Sequence, residues 1–161
     1  MPIWVLALSY WLHLLATVVW IGGLAMLILI AWPGIETTFR DALDIVERRF
    51  RPWANISLAV LLVTGLIQMG GDQHYTGFLV FNSVWALGLL AKHIIIGGMI
   101  VITLILQLNV HPALDRARLL AGRASASDEG AAARRNLRRL TAINLALGIL
   151  VLLLTAVITA L

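Results

Sequence analysis

His13, Lys92, His93 and Met99 carry metal-binding or charge chemistry within apolar stretches of this chain. Lys92 is the only lysine, and it stands beside His93 in the run from Trp85 to Ile100. An ammonium in hydrocarbon is costly, so its presence there points to a partner or a use. Imidazole nitrogen ligates iron or copper, and thioether sulfur suits copper(I). In one chemistry His13 and His93 are axial ligands of a b-type haem. Trp20 and Trp85 would pack around the ring, with Lys92 as the reactive or electrostatic residue, at a propionate or as an exchangeable ligand. In a second, His13 and His93 hold copper with Met99 or Met26 as thioether partners. In a third the role is structural: the imidazoles satisfy backbone or hydroxyl groups, and Lys92 snorkels or meets a helix carbonyl.

Membrane helices must position these residues. The chain is 61% hydrophobic and only 12% charged, where soluble domains carry about 25% charged residues. The expectation is an all-α integral membrane protein, a single domain over residues 1–161. Its spans run from about Ile3 to Ala31, Trp53 to Met69, Phe78 to Leu108 and Leu137 to Leu161. In the first span His13, Thr17, Trp20 and Leu24 share one face, while Gly22, Gly23 and Ala25 allow a close helix neighbour. A charged helical connection, Glu36 to Arg51, leads to Pro52, placed in the first turn of span two. Asn55, Ser57, Thr64, Gly65 and Gln68 read as packing and interhelical hydrogen bonding. Asn109 and His111-Pro112 mark the exit of span three. Ser125 to Gly130 is the expected flexible point before span four.

The arginines all lie in or beside the first and third connections, and the second connection has none. The positive-inside rule then puts those two connections in the cytoplasm and both termini outside. The architecture expected is an up-down-up-down four-helix bundle in the inner or plasma membrane. His13 lies roughly 16 Å from the outer end of span one, and His93 roughly 18 to 22 Å from that of span three, at 1.5 Å per residue. The two imidazoles are therefore expected at similar depth. Lys92 and His93 point about 100° apart and cannot both aim straight at one partner.

Other chemistries are excluded or weak. The chain has no cysteine, which removes disulfides, thiolate metal sites and thiol nucleophiles. The formal charge of +4 reflects arginines beside apolar spans, so anionic lipid and topology explain it better than nucleic acid. The first helix is too long for a signal peptide and lacks a basic start. His74 in the outer loop and His111 before a proline are lesser ligand candidates. The chain has no phosphate-cradling glycine loop, paired intramembrane carboxylates or nucleophile constellation, so hydrolytic and ATP-driven chemistry are not expected.

The motifs also carry a resemblance. The first span contains L-H-L-L-A-T-V-V-W-I-G-G-L, with His13 followed seven residues later by Trp20 and then glycines. The second reads R-F-R-P-W-A-N-I-S-L-A-V-L-L-V-T-G-L, and the third holds W-A-L-G-L-L-A-K-H-I-I with Lys92. The fourth reads R-R-L-T-A-I-N-L-A-L-G-I-L-V-L-L-L-T-A. In this order they resemble the copper-resistance D (CopD) type of membrane domain, and more distantly the HemJ-type protoporphyrinogen oxidases. The resemblance implies His13 and Lys92 as first-choice site residues. It implies copper movement across the inner membrane in the CopD case, and haem with porphyrinogen oxidation in the HemJ case. This chain lacks a methionine-rich or histidine-rich capture segment, and His93 directly after the lysine adds an imidazole that favours haem. The preferred expectation is a membrane b-type haem protein for electron transfer or another redox reaction. Copper binding or transport is the alternative, as is an accessory subunit of a larger membrane complex or a homo-oligomer.

Overall fold

The computed structural model describes residues 2–32, 40–71, 84–120 and 124–160, and these are helical almost throughout, with no strand. Helix α1 is Ile3–Ala25 and continues through a π-helical stretch, Met26–Ala31. Helix α2 is Arg40–Gly71. Helix α3, Val84–Ile105, passes through a second π-helical stretch, Leu106–Val110, into α4, His111–Leu119. Helix α5 is Ala124–Ala160. Among the described residues four stretches are long and apolar enough to cross a bilayer: Ile3–Leu29, Asp44–Gly71, Leu87–Leu119 and Asp128–Thr159. The all-α membrane architecture follows. The segment carrying His74, the predicted start of span three at Phe78 and the Pro33-Gly34 pair, which the sequence reads as ending the first helix, lie outside the described residues.

The chain divides into two compact units, Met1–Phe81 and Asn82–Leu161. In the first, α1 and α2 form an antiparallel hairpin. Ser9 meets Thr64 and Gln68, and further along α1 Gly23 lies against Phe50. Ser9, Ala16, Trp20, Leu24 and Leu27 are buried on one side of α1, and Glu47, Ser57 and Thr64 are buried on α2. The second unit pairs α3 and α4 with α5, again antiparallel: Gly88 lies against Ile158, Thr103 bonds Asn144, and Ala117 meets Gly130. Large apolar side chains such as Val18, Leu29, Ile94 and Leu108 are about two-thirds exposed. Polar and small residues are among those buried, and large apolar side chains face outward, an arrangement that suits lipid.

Three helix boundaries differ from the sequence expectation. Pro52 does not open a helix but sits inside α2. Glu47 and Arg51 hold the turn before it, with Arg51 Nε and Nη2 each 2.9 Å from the Glu47 carboxylate. The helix of span three does not stop at Leu108 but runs on to Leu119. Pro112 has no N–H for the carbonyl of Leu108, and the π-helical turn lies just before it, which lets the helix continue past the missing bond. Ser125 to Gly130 belongs to a helix that begins at Ala124. A Cβ added at Gly130 would lie 3.1 Å from the Ala117 side chain, and Arg116 pairs with Glu129 at 3.8 Å. Packing against α4 holds that segment helical.

The adjacent glycines of α1 separate the two roles that small residues can play. A Cβ on Gly23 would enter the Phe50 ring, whereas one on Gly22 would meet nothing within 4 Å. Gly23→Ala should therefore lower unfolding stability in detergent by about 1–3 kcal/mol, and Gly22→Ala should stay within about 0.5 kcal/mol. Equal effects in a denaturant titration would contradict this packing of α1 on α2.

Candidate functional site

The first unit gathers polar groups around His13. This imidazole lies on the α2-facing side of α1, and its Nδ1 is 2.8 Å from Thr64 Oγ1. The Thr64 hydroxyl donates to the Val60 carbonyl at 2.6 Å, one turn back on α2. A hydroxyl has one proton, so with that proton on Val60 the oxygen accepts from Nδ1–H. His13 is thereby held as the Nδ1–H tautomer, with the lone pair on Nε2. Gly65 flanks the ring: a Cβ there would stand 3.7 Å from Cε1, in ordinary contact. Thr17 donates to the His13 carbonyl at 2.8 Å. One turn towards the N-terminus, Ser9 Oγ donates to the Thr64 carbonyl at 3.2 Å and Gln68 Nε2 to the Ser9 carbonyl at 3.3 Å. Trp20 is on the same side of α1 as His13 and is only 2% exposed.

The second unit separates the Lys92-His93 pair. Gly88, Met99 and Thr103 mark the side of α3 that meets α5. Lys92 is four residues after Gly88 and seven before Met99, so it shares that side. His93 is about 100° further round. Its Nδ1 is 2.7 Å from the Leu89 carbonyl. A carbonyl can only accept, so His93 is also an Nδ1–H tautomer with the lone pair on Nε2. Met99 is 5% exposed in the α3–α5 core, about 120° round the helix from His93. Thr103 donates to the Met99 carbonyl at 2.8 Å and receives Asn144 Nδ2 at 3.2 Å. The side chain of Trp85 lies outside the described residues.

His13 belongs to the first unit, and Lys92, His93 and Met99 to the second. Within the second unit the other imidazole, His111, is at the start of α4, about 27 Å of helix rise from His93. Neither unit alone brings two described imidazoles to one level. Among the described residues no group of three or more His, Cys, Asp or Glu is placed to hold a metal. Each unit offers an imidazole, His13 or His93, held through Nδ1 by a protein oxygen. A hydrogen bond from the other ring nitrogen to a hydroxyl or carbonyl is how metal-binding histidines are commonly set, and it raises the basicity of the ligating nitrogen.

The sequence marks Thr64 and Gly65 for packing and interhelical hydrogen bonding, and Thr64 does bond across the helices, but His13 as its partner was missed. The partners are 51 positions apart, and the pairing needs the register of the hairpin. The signal present was a threonine-glycine pair on the helix that follows a histidine-bearing span.

Taken together, the chain is an integral membrane protein of paired apolar helices that carry imidazoles bonded through Nδ1 to protein oxygens. A family model described as copper resistance protein D, CopD, matches residues 45–158. That is most of the chain, and this protein belongs to the CopD family. The matched region contains Thr64, Lys92, His93 and Met99, and begins after His13. The HemJ-type likeness is not part of this match. No curated protein and no solved structure matches the chain.

The bonds next to His13 are separable. Ser9→Ala removes the hydroxyl that reaches Thr64 but leaves the residue-9 carbonyl for Gln68. Ser9→Ala and Gln68→Leu should each cost about 0.6 kcal/mol of unfolding stability in detergent. A denaturant titration in which neither variant is destabilised would show that the two bonds do not act as drawn.

Proposed function

We propose that this protein handles copper within the membrane, taking Cu(I) on imidazole Nε2 of His13 and of His93 as cargo. The observation that carries this reading is the shared hydrogen bond at Nδ1: each ring meets a protein oxygen there, an arrangement that assigns the basic pair to Nε2. Membership of a family named for copper resistance supports the choice of metal. The donor set fits as well. Copper(I) accepts imidazole and thioether and is served by few donors, whereas a structural zinc site wants four ligands and calcium a cage of oxygens. Met99 would be a thioether on the α5 side of α3, distinct from the His93 side. Lys92 would set the electrostatic field that a passing cation meets, since a nearby ammonium opposes a resting positive ion.

The sidedness we propose comes from charge. In each hairpin the arginine-bearing end, with Arg48, Arg49 and Arg51 on α2 or Arg116, Arg118, Arg134 and Arg135 on α4 and α5, would be cytoplasmic. Antiparallel pairing then puts the start of α1 and the end of α5 on the outer side, with the four spans working as one domain. A b-type haem on the same Nε2 atoms, serving electron transfer, is the competing reading, because haem iron also takes a histidine whose far nitrogen is hydrogen-bonded.

Metal loading separates the two. Protein purified in detergent and equilibrated with Cu(I) under reducing conditions should retain copper. His13→Ala and His93→Ala should each weaken that binding at least about 10-fold, the lower range seen when metal-site support is lost. Cells carrying either variant should show altered copper accumulation. Failure of the wild type to retain copper, with a Soret band and a reduced-minus-oxidised haem spectrum instead, would overturn copper in favour of haem.

A further inference from the structure

His93 takes its ring orientation from its own helix, because the accepting Leu89 carbonyl is one turn away on α3. His13 depends on a side chain from the opposite helix. The Thr64 hydroxyl is committed to α2: Oγ1 is 2.6 Å from the Val60 carbonyl and 3.4 Å from that of Leu61. With its proton turned to those carbonyls, it presents a lone pair to the imidazole. Thr64 is only 4% exposed, so water has little access to replace the hydroxyl if it is removed. Gly65, next in sequence, flanks the ring, and a Cβ there would stand in ordinary contact with Cε1. The Ser9 and Gln68 bonds fix the register of the two helices one turn away.

We propose that Thr64 is the positioning residue of His13, fixing from α2 which imidazole nitrogen on α1 carries the lone pair. A valine at 64 keeps the shape but removes the acceptor, so Nδ1–H is no longer favoured over Nε2–H. A serine keeps the acceptor. His93 is indifferent to either change, since its acceptor is backbone. For the affinity of Cu(I) the inference rests on the copper reading above; for the tautomer of His13 it does not.

The test reads the tautomer directly. Metal-free protein labelled with 15N-histidine is examined by NMR in detergent at about pH 8, above the ordinary imidazole range. The His13 signals are assigned by their loss in His13→Gln. Wild type should show a protonated Nδ1 and a lone-pair Nε2 at His13. Thr64→Val should shift His13 towards Nε2–H, Thr64→Ser should keep the wild-type pattern, and His93 should stay constant in both. An unchanged His13 in folded Thr64→Val overturns the proposal. So does an Nε2–H His13 in wild type, which decides the matter even if Thr64→Val does not fold. In the same samples Cu(I) affinity should fall about 10- to 100-fold in Thr64→Val and recover in Thr64→Ser. A switched tautomer with unchanged Cu(I) affinity would uphold the positioning role and refute copper at His13.

Discussion

Hydrocarbon cannot solvate a hydroxyl, an amide or an imidazole, so every polar side chain within a span must be satisfied by its neighbours. That constraint organises both hairpins. Ser9, His13, Thr64 and Gln68 are tied together across α1 and α2, and Thr103 is tied to Asn144 across α3 and α5. Each such bond is small, on the order of 0.6 kcal/mol in membrane proteins. Their placement still fixes which residues sit opposite one another. The glycines at positions 23 and 88 then let Phe50 and Ile158 come close enough for those bonds to form.

The same constraint produces the chemistry. A histidine in lipid must give its N–H to something, and the group that takes it decides which nitrogen keeps the lone pair. In α3 the taker is a carbonyl one turn back; in α1 it is a threonine on another helix. The structural reading of the histidines and the ligand reading are thus not opposed. Satisfying Nδ1 is a structural act that leaves Nε2 basic. CopD membership names copper as the metal to try first, and the imidazole tautomers give a physical route by which these helices could meet it.

Much of this was legible in the chain. Long apolar runs define the four spans because burial in lipid needs little more than length and composition. The shared face of His13, Trp20 and Leu24 follows from helical periodicity and holds in the hairpin. Helix ends were less legible. Proline and glycine read as breakers when only local rules are applied. At Pro52 an ion pair one turn back holds the helix, at Pro112 a π turn does, and at Gly130 contact with α4 does. The partner of His13 could not be read, because it depends on hairpin register across 51 positions. Nor could the separation of Lys92 from His93 relative to α5, which needs to know which side of α3 is covered.

The most direct test of the central claim is copper K-edge X-ray absorption on Cu(I)-loaded protein. A nitrogen first shell with the outer-shell scattering of imidazole rings is expected, diminished in His13→Ala and in His93→Ala. A first shell of sulfur alone, or a spectrum unchanged in both variants, would contradict it.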